Sequence, residues 1–224
     1  MSAATEIAPG LWRWTARHPD WHPGDFGAEV ASYALVADDH LLLLDPLIPD
    51  GEDGVLERLD DLAGTTEHVA ILLTIPYHVR SSEALRERYD GAPIWGPPRV
   101  AAKLERPDGF HALEPDAPGP AGVVAFTIGH PQRTERPLWL PSHAALAFGD
   151  TIVTTPEGEL RIWDQKGLDK RRLAWYRDRF LPSLDALRDL DARRILTTHG
   201  EPVLADGAAA LAGALAAPPW EHRG

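Results

Sequence analysis

The stretch "HVAILLTIPYHVRSSEAL", His68 to Leu85, restricts the fold more than any other part of the chain. Val69–Leu73 is an unbroken apolar run, the pattern of a strand covered on both faces. It stops at Thr74, and Ser81 and Ser82 are helix N-cap types followed by Glu83, which suits a first helical turn. The spacing predicts a helix from there to about Tyr89. Strand-to-helix corners of this kind are where α/β proteins place their chemistry. At this corner, however, Ile75, Pro76, Tyr77, Val79 and Arg80 can neither hold a metal nor exchange a proton at neutral pH. Only His78 can.

The remaining pattern fits the same layered design. "VASYALV" (Val30–Val36) and "LLLLDP" flank an Ala-Asp-Asp-His turn and read as a strand hairpin. Glu52–Ala63 sets Val55, Leu56, Leu59 and Leu62 at helical spacing. "GAPIWG" reads as a short strand, Pro98–Leu104 as a short helix, and "HALEPDAPGPAG" as a proline-rich loop. Strands are expected at Val123–Ile128, Leu138–Leu140 and Ala144–Phe148. The longest helix is expected at about Lys170–Asp189, with Pro182 kinking or restarting it. "RRILTTHG" reads as a strand ending in a turn, and Gly207–Ala217 as a last helix. Strands and strand-helix units alternate in an order that suits an α/β protein of the αββα type, two mixed sheets with helices outside, as a single domain over residues 1–224.

Charge and composition exclude several classes. There are 34 Asp and Glu against 22 Lys and Arg, a formal net charge of −12. That balance opposes binding to nucleic acid or to an anionic membrane surface. With no cysteine, thiolate catalysis, disulfides and cysteine-based zinc sites are out. The start "MSAATEIAPGLWRW" lacks a basic region followed by an apolar stretch, and no apolar run reaches the roughly 18 residues of a membrane span. A cytoplasmic location is the expectation. The sequence sets no oligomeric state.

Seven segments in order, "EIAPGLWRW", "LLLLDPLIP", "HVAILLT", "GAPIWGPPRVAAKL", "FTIGHP", "LAFGDTI" and "RRILTTHGEPV", resemble the landmarks of the metallo-β-lactamase fold superfamily over nearly the whole chain. The resemblance implies a cleft between the sheet edges. In hydrolytic members a Thr-His-x-His-x-Asp-His motif and a later His, Asp and His hold one or two metals there, usually zinc, which activate water. Laying Thr74 on the motif's threonine puts Ile75, Tyr77, Val79 and Arg80 where the four ligands belong. His130, Asp150 and His199 stand at the later positions.

The resemblance therefore implies a dismantled dinuclear site. The expected function is small-molecule binding in the retained cleft, with weak or metal-independent hydrolysis at most. The expected ligand-binding residues are Tyr77, His78, Arg80, His130, Asp150, His199, Trp21 and His22, and no metal or other cofactor is expected. His78, His130, Asp150 and His199 are the catalytic candidates. If a local bulge turned His78 inward, these four could hold one zinc or other divalent ion. The alternatives are then a mononuclear hydrolase of esters, thioesters or lactams, and a structural or interaction protein. Arg80 is expected to pair with Asp150 in place of a cation, and Asp45 to cap a turn. His22 and Glu29 are possible acid-base groups in the segment His18–Tyr33, which also contains Asp25. "RIWDQKGLDKRR" is expected to be a lid or a surface link.

Overall fold

The computed structural model describes residues 4–22, 26–51, 53–115, 117–130, 132–164 and 167–222. Two sheets stack face to face with helices on both outer sides. The first has seven strands in sequence order: β1 (Thr5–Ala8), β2 (Leu11–Arg17), β3 (Glu29–Ala37), β4 (His40–Leu44), β5 (His68–Leu72), β6 (Ile94–Gly96) and β7 (Phe110–Ala112). β1 to β4 run antiparallel as hairpins, and β4 to β7 run parallel. The second layer contains β8 (Val124–Ala125), β9 (Leu138–Leu140), β10 (Ala145–Phe148) and β13 (Arg194–Thr197). Beside it β11 (Ile152–Thr154), β12 (Leu160–Asp164) and β14 (Trp220–Glu221) form a small third sheet.

Alternation along single strands builds the layers. Leu42 and Leu44 of β4 face the second sheet, with Tyr33 and Leu35 of β3 and Leu138, Ala145 and Ala147 across the gap. Leu41 and Leu43 face outward, onto Val55 and Leu59 of α1 (Asp53–Ala63) and Leu85 of α2 (Ser82–Arg88). In β10, Ala145 and Ala147 point inward, while Leu146 and Phe148 meet Tyr176, Phe180, Leu211 and Leu215. Small residues inside and large ones outside let the sheets approach while the helices are gripped. Fully burying each large apolar side chain contributes about 1.5–3 kcal/mol.

The helices on the second sheet's outer side are α3 (Lys170–Trp175), α4 (Asp185–Arg188) and α5 (Gly207–Ala216). The helix expected from Lys170 is interrupted around Pro182, as anticipated: a wide turn over Tyr176–Phe180 and a 3-10 turn over Leu181–Leu184 separate α3 from α4. Pro182 has no N–H to donate and its ring crowds the carbonyl four residues back. The segment "RIWDQKGLDKRR", expected as a lid or a surface link, is β12 as far as Asp164 and leads from Gly167 into α3, with Gln165 and Lys166 outside the described residues. Trp163 is buried, and the carboxylate of Asp164 accepts the Tyr176 hydroxyl at 2.7 Å and the Arg172 Nε. The strand expected over Val123–Ile128 is reduced to Val124–Ala125. None of the helices is long and apolar enough to cross a membrane, among the described residues.

Candidate functional site

Two corners meet at one edge of the sandwich. The first follows β5, where Thr74 leads into a 3-10 turn over Pro76–Val79 and then α2. That turn sends Tyr77 outward, 67% exposed, and His78 inward, 4% exposed. Arg80 closes the turn with φ 32° and ψ −115°. A positive φ in a non-glycine residue costs roughly 1–3 kcal/mol and persists only where neighbours enforce it. The second corner comprises Gly149–Thr151 after β10 and Thr198–Gly200 after β13, whose ends lie side by side because those two strands pair in parallel.

Each corner is anchored by a buried carboxylate. Asp45, just past β4, accepts the Thr74 N–H at 2.9 Å and the Thr74 hydroxyl, and its Oδ2 lies 3.0 Å from His78 Nδ1. Glu135, fully buried, accepts the N–H groups of Gly149, Asp150 and Thr151 at 3.0, 3.0 and 2.9 Å and the Thr151 hydroxyl at 2.7 Å. Those amides are withdrawn from sheet pairing, and this is where β10 stops and the second layer divides. The corners also touch. A Cβ on Gly149 would stand 2.7 Å from Thr74 Oγ1, and one on Gly200, at φ +82°, only 2.2 Å from the Thr154 carbonyl.

Between the corners lies a cavity of about 380 Å³. Its polar lining includes His78, Arg80, Asp150 and His199, and its aromatic lining Trp21, Phe26, Tyr77 and Trp163. Asp150 Oδ1 lies 3.5 Å from His78 Nε2 and 3.7 Å from His199 Nε2. Burial and Arg80 oppose a charge on His78, but the carboxylates of Asp45 and Asp150 outweigh both, and its pKa is raised. Burial pulls His199 down to about 4, against the pull of Asp150, so it is neutral at pH 7. Burial works against the Asp150 carboxylate, yet His78, His199 and Arg80 together hold its pKa well below the usual carboxylate range. The result is a compensated set: carboxylates at Asp45 and Asp150, an imidazole between them whose charged form both favour, and a guanidinium beside them. Burial, followed by the charge of Asp150, pushes Glu135 up to about 7, against the pull of its hydrogen-bond donors.

His78, Arg80, Asp150, His199, Tyr77 and Trp21 thus come together at the cavity. His130 does not: it is exposed and lines a different depression with Asp169, Arg171, Arg172 and Trp175. His22 is exposed and outside the cavity wall, Glu29 accepts a hydrogen bond from Thr15, and Asp25 falls outside the described residues. Arg80 enters the cavity wall as expected but donates to the Asp45 carbonyl at 3.2 Å. The Asp150 carboxylate faces the two imidazoles instead, because the turn has swung His78 into that space. Asp45, expected to cap a turn, instead directs its carboxylate across the sheet edge to Thr74 and His78. Nothing in the sequence marks Glu135 or Phe26, and it gives Trp163, His18 and His222 no site role. Glu135 lies in the polar loop "QRTERP", where no periodicity marks it.

As placed, the cavity's His, Asp and Glu side chains do not form a three-ligand group at the spacing of one zinc ion. Ligands sharing one tetrahedral zinc lie about 3.4 Å apart, given bonds near 2.1 Å. Among the described residues, the one set of three His, Asp or Glu ligand atoms mutually within 4.8 Å is Asp39, Glu67 and His68, exposed at the far end of β4 and β5. Since both imidazoles lie within 4 Å of Asp150 Oδ1, the His78 and His199 Nε2 atoms must be more than 4.8 Å apart. Arg80 also places a fixed positive charge in the same wall.

The layers, the strand order and a cleft between the two corners define the metallo-β-lactamase fold, and this chain has it. It is similar to the metallo-β-lactamase from Pontibacter korlensis, at 15% identity and TM-score 0.64 over 96% of this chain and 99% of that one. Against the DIM-1 metallo-β-lactamase exposed to ceftazidime the values are 14%, 0.63, 96% and 96%. Against FIM-1 from Pseudomonas aeruginosa in its mono-zinc form they are 18%, 0.60, 96% and 97%. No protein-family model and no curated protein matches the sequence. Likeness at these identities establishes the fold and leaves the activity to be argued from the site.

Proposed function

We propose that this protein binds a small molecule in the cleft without a metal, and that any hydrolysis it performs is weak and metal-independent. The observation that carries this is the charge set at the cavity: His78 and Arg80 supply the positive charge that Asp45 and Asp150 require. A divalent ion would have to displace the His78 proton and sit beside Arg80, and both raise its cost. The cavity volume lies within the range of small-ligand sites.

The test is zinc titration by calorimetry, with elemental analysis of protein purified without chelator. Two variants assign any ion found. His68→Ala removes the exposed Asp39-Glu67-His68 cluster, and His199→Ala removes an imidazole from the cleft. The proposal expects no zinc that depends on His199. Stoichiometric zinc lost in His199→Ala and kept in His68→Ala would replace it with the mononuclear hydrolase. Turnover of generic esters, thioesters or lactams at roughly 1 per second or faster would do the same.

A further inference from the structure

The polar atoms of the cavity wall that have no protein partner indicate what kind of molecule the cleft takes. Among the described residues that line it, Arg80 Nε, Trp21 Nε1 and Trp163 Nε1 are buried without a hydrogen-bond partner in the protein. All three can only donate. Trp163 itself is only 8% exposed, so its indole N–H is a buried donor held rigidly in the wall. Set against them is one obligate acceptor without a partner, Asp150 Oδ1, already flanked by two imidazoles; His199 Nδ1 can serve in either role. A buried donor left unsatisfied costs about 1–3 kcal/mol, so a ligand that supplies acceptors here recovers that cost.

Much of the rest of the wall is aromatic, with Asp20, Gly27 and Val30 between the rings. Phe26 packs edge-on against Trp163 at 5.7 Å and against Trp220 at 4.7 Å. Trp21 is steadied by the Arg17 guanidinium 5.0 Å above its ring. Ring edges and faces fixed in this way suit a flat partner.

Resting on the metal-free reading above, we propose that the ligand is a small planar aromatic ring bearing an oxyanion, a carboxylate or a phosphate ester. The oxyanion takes the Arg80 guanidinium and the Trp163 N–H, and the ring lies along Trp21 and Phe26. An organic cation is disfavoured in the buried part of the cleft because Asp150, like Asp45 behind it, already faces a basic side chain of the protein; the other carboxylate of the wall, Asp20, is exposed to solvent. A guanidinium recognises either oxyanion in the same planar geometry.

The experiment is calorimetric titration of the full chain at about pH 7 in the presence of a chelator. The probes are benzoate, phenyl phosphate, cyclohexanecarboxylate and benzylamine, with tryptophan fluorescence followed in parallel. Benzoate or phenyl phosphate is expected to bind at least about tenfold more tightly than benzylamine or cyclohexanecarboxylate; which of the two binds better tells a carboxylate source from a phosphate one. Arg80→Gln is expected to weaken binding about tenfold or more, and Trp163→Phe, which keeps the ring and removes the N–H, roughly threefold to tenfold. The second variant covers the case in which Arg80→Gln disturbs the turn. Preference for benzylamine, equal affinity of Trp163→Phe and the parent, or no binding of either aromatic anion overturns the inference and leaves the metal-free reading in place. Anion binding that appears only when zinc replaces the chelator overturns both.

Discussion

The two corners solve the same problem with different chemistry. Each needs a buried acceptor to collect backbone N–H groups that no strand can take. At the first corner that acceptor is Asp45, which also faces the His78 imidazole. At the second it is Glu135, which receives three amides and a hydroxyl and faces no cation, with the charge of Asp150 close by. An ion pair and an amide nest both hold a loop, but they respond differently to mutation and to protons. The first corner is held through a side chain that belongs to the cleft. The second is held from beneath, by a residue the cleft never exposes.

The largest expected effect tests the amide nest. Glu135→Ala leaves three amides and a hydroxyl buried without an acceptor and should cost about 4 kcal/mol in urea unfolding. A loss below about 1 kcal/mol would mean that the corner is held by its glycine packing alone. Next comes Asp45→Asn, which keeps the shape but strands the His78 charge. About 3 kcal/mol should be lost, and the His78 ring, followed by NMR, should titrate at lower pH than in the parent. An unchanged His78 titration would show that Asp150 alone sets its charge.

The third test uses protons and is expected to be smaller, on the order of 2 kcal/mol. Glu135 titrates at about 7 in the fold and near 4.3 unfolded. Its contribution is complete below the unfolded value and is lost as pH rises through about 7. His199 is held at about 4 against about 6.5 unfolded. Its contribution is complete above the unfolded value and is lost as pH falls through about 4. Between these limits the two slopes oppose each other in the parent. Glu135→Gln should therefore gain stability with rising pH across that window, and His199→Asn should lose it. His78, displaced upward, loses its contribution only above its unfolded value and falls outside this window. Parallel slopes in the two variants would break the assignment. The smallest effects belong to residues turned away from both anchors: Tyr77→Ala and His130→Ala should each change stability by no more than about 0.5 kcal/mol.

Much of this molecule was legible before its coordinates. The apolar runs at β4 and β5 specify strands covered on both faces, and the alternation that splits Leu42 and Leu44 from Leu41 and Leu43 follows from strand geometry. Asp150 and His199 were visible only through the resemblance, which sets "LAFGDTI" and "RRILTTHGEPV" on the segments that carry the later Asp and His. The orientation of His78 was not fixed by its neighbours. Counting from Thr74 assumes an extended strand end, whereas the 3-10 turn at Pro76 shifts the inward position from Tyr77 to His78. His130 shares the strand-end setting but lies beyond the short β8, too far along the loop to reach the cleft wall. Glu135 was invisible for a different reason: its partners lie 14 to 16 residues away in sequence, and nothing local in "QRTERP" marks an acceptor.

The two crowded glycines bear on how sequences of this fold are read. Gly149 and Gly200 have no room for a side chain, one against Thr74 and the other against the Thr154 carbonyl. Single-step replacement at either point is closed for reasons of space, whatever the cleft does. The Gly-Asp and His-Gly pairs can therefore outlive an activity, kept in place by the architecture around them. Within the first corner, Tyr77 alone faces solvent and meets no such barrier, whereas Ile75 and His78 beside it are buried. In a genome survey, the second corner reports that a chain folds this way.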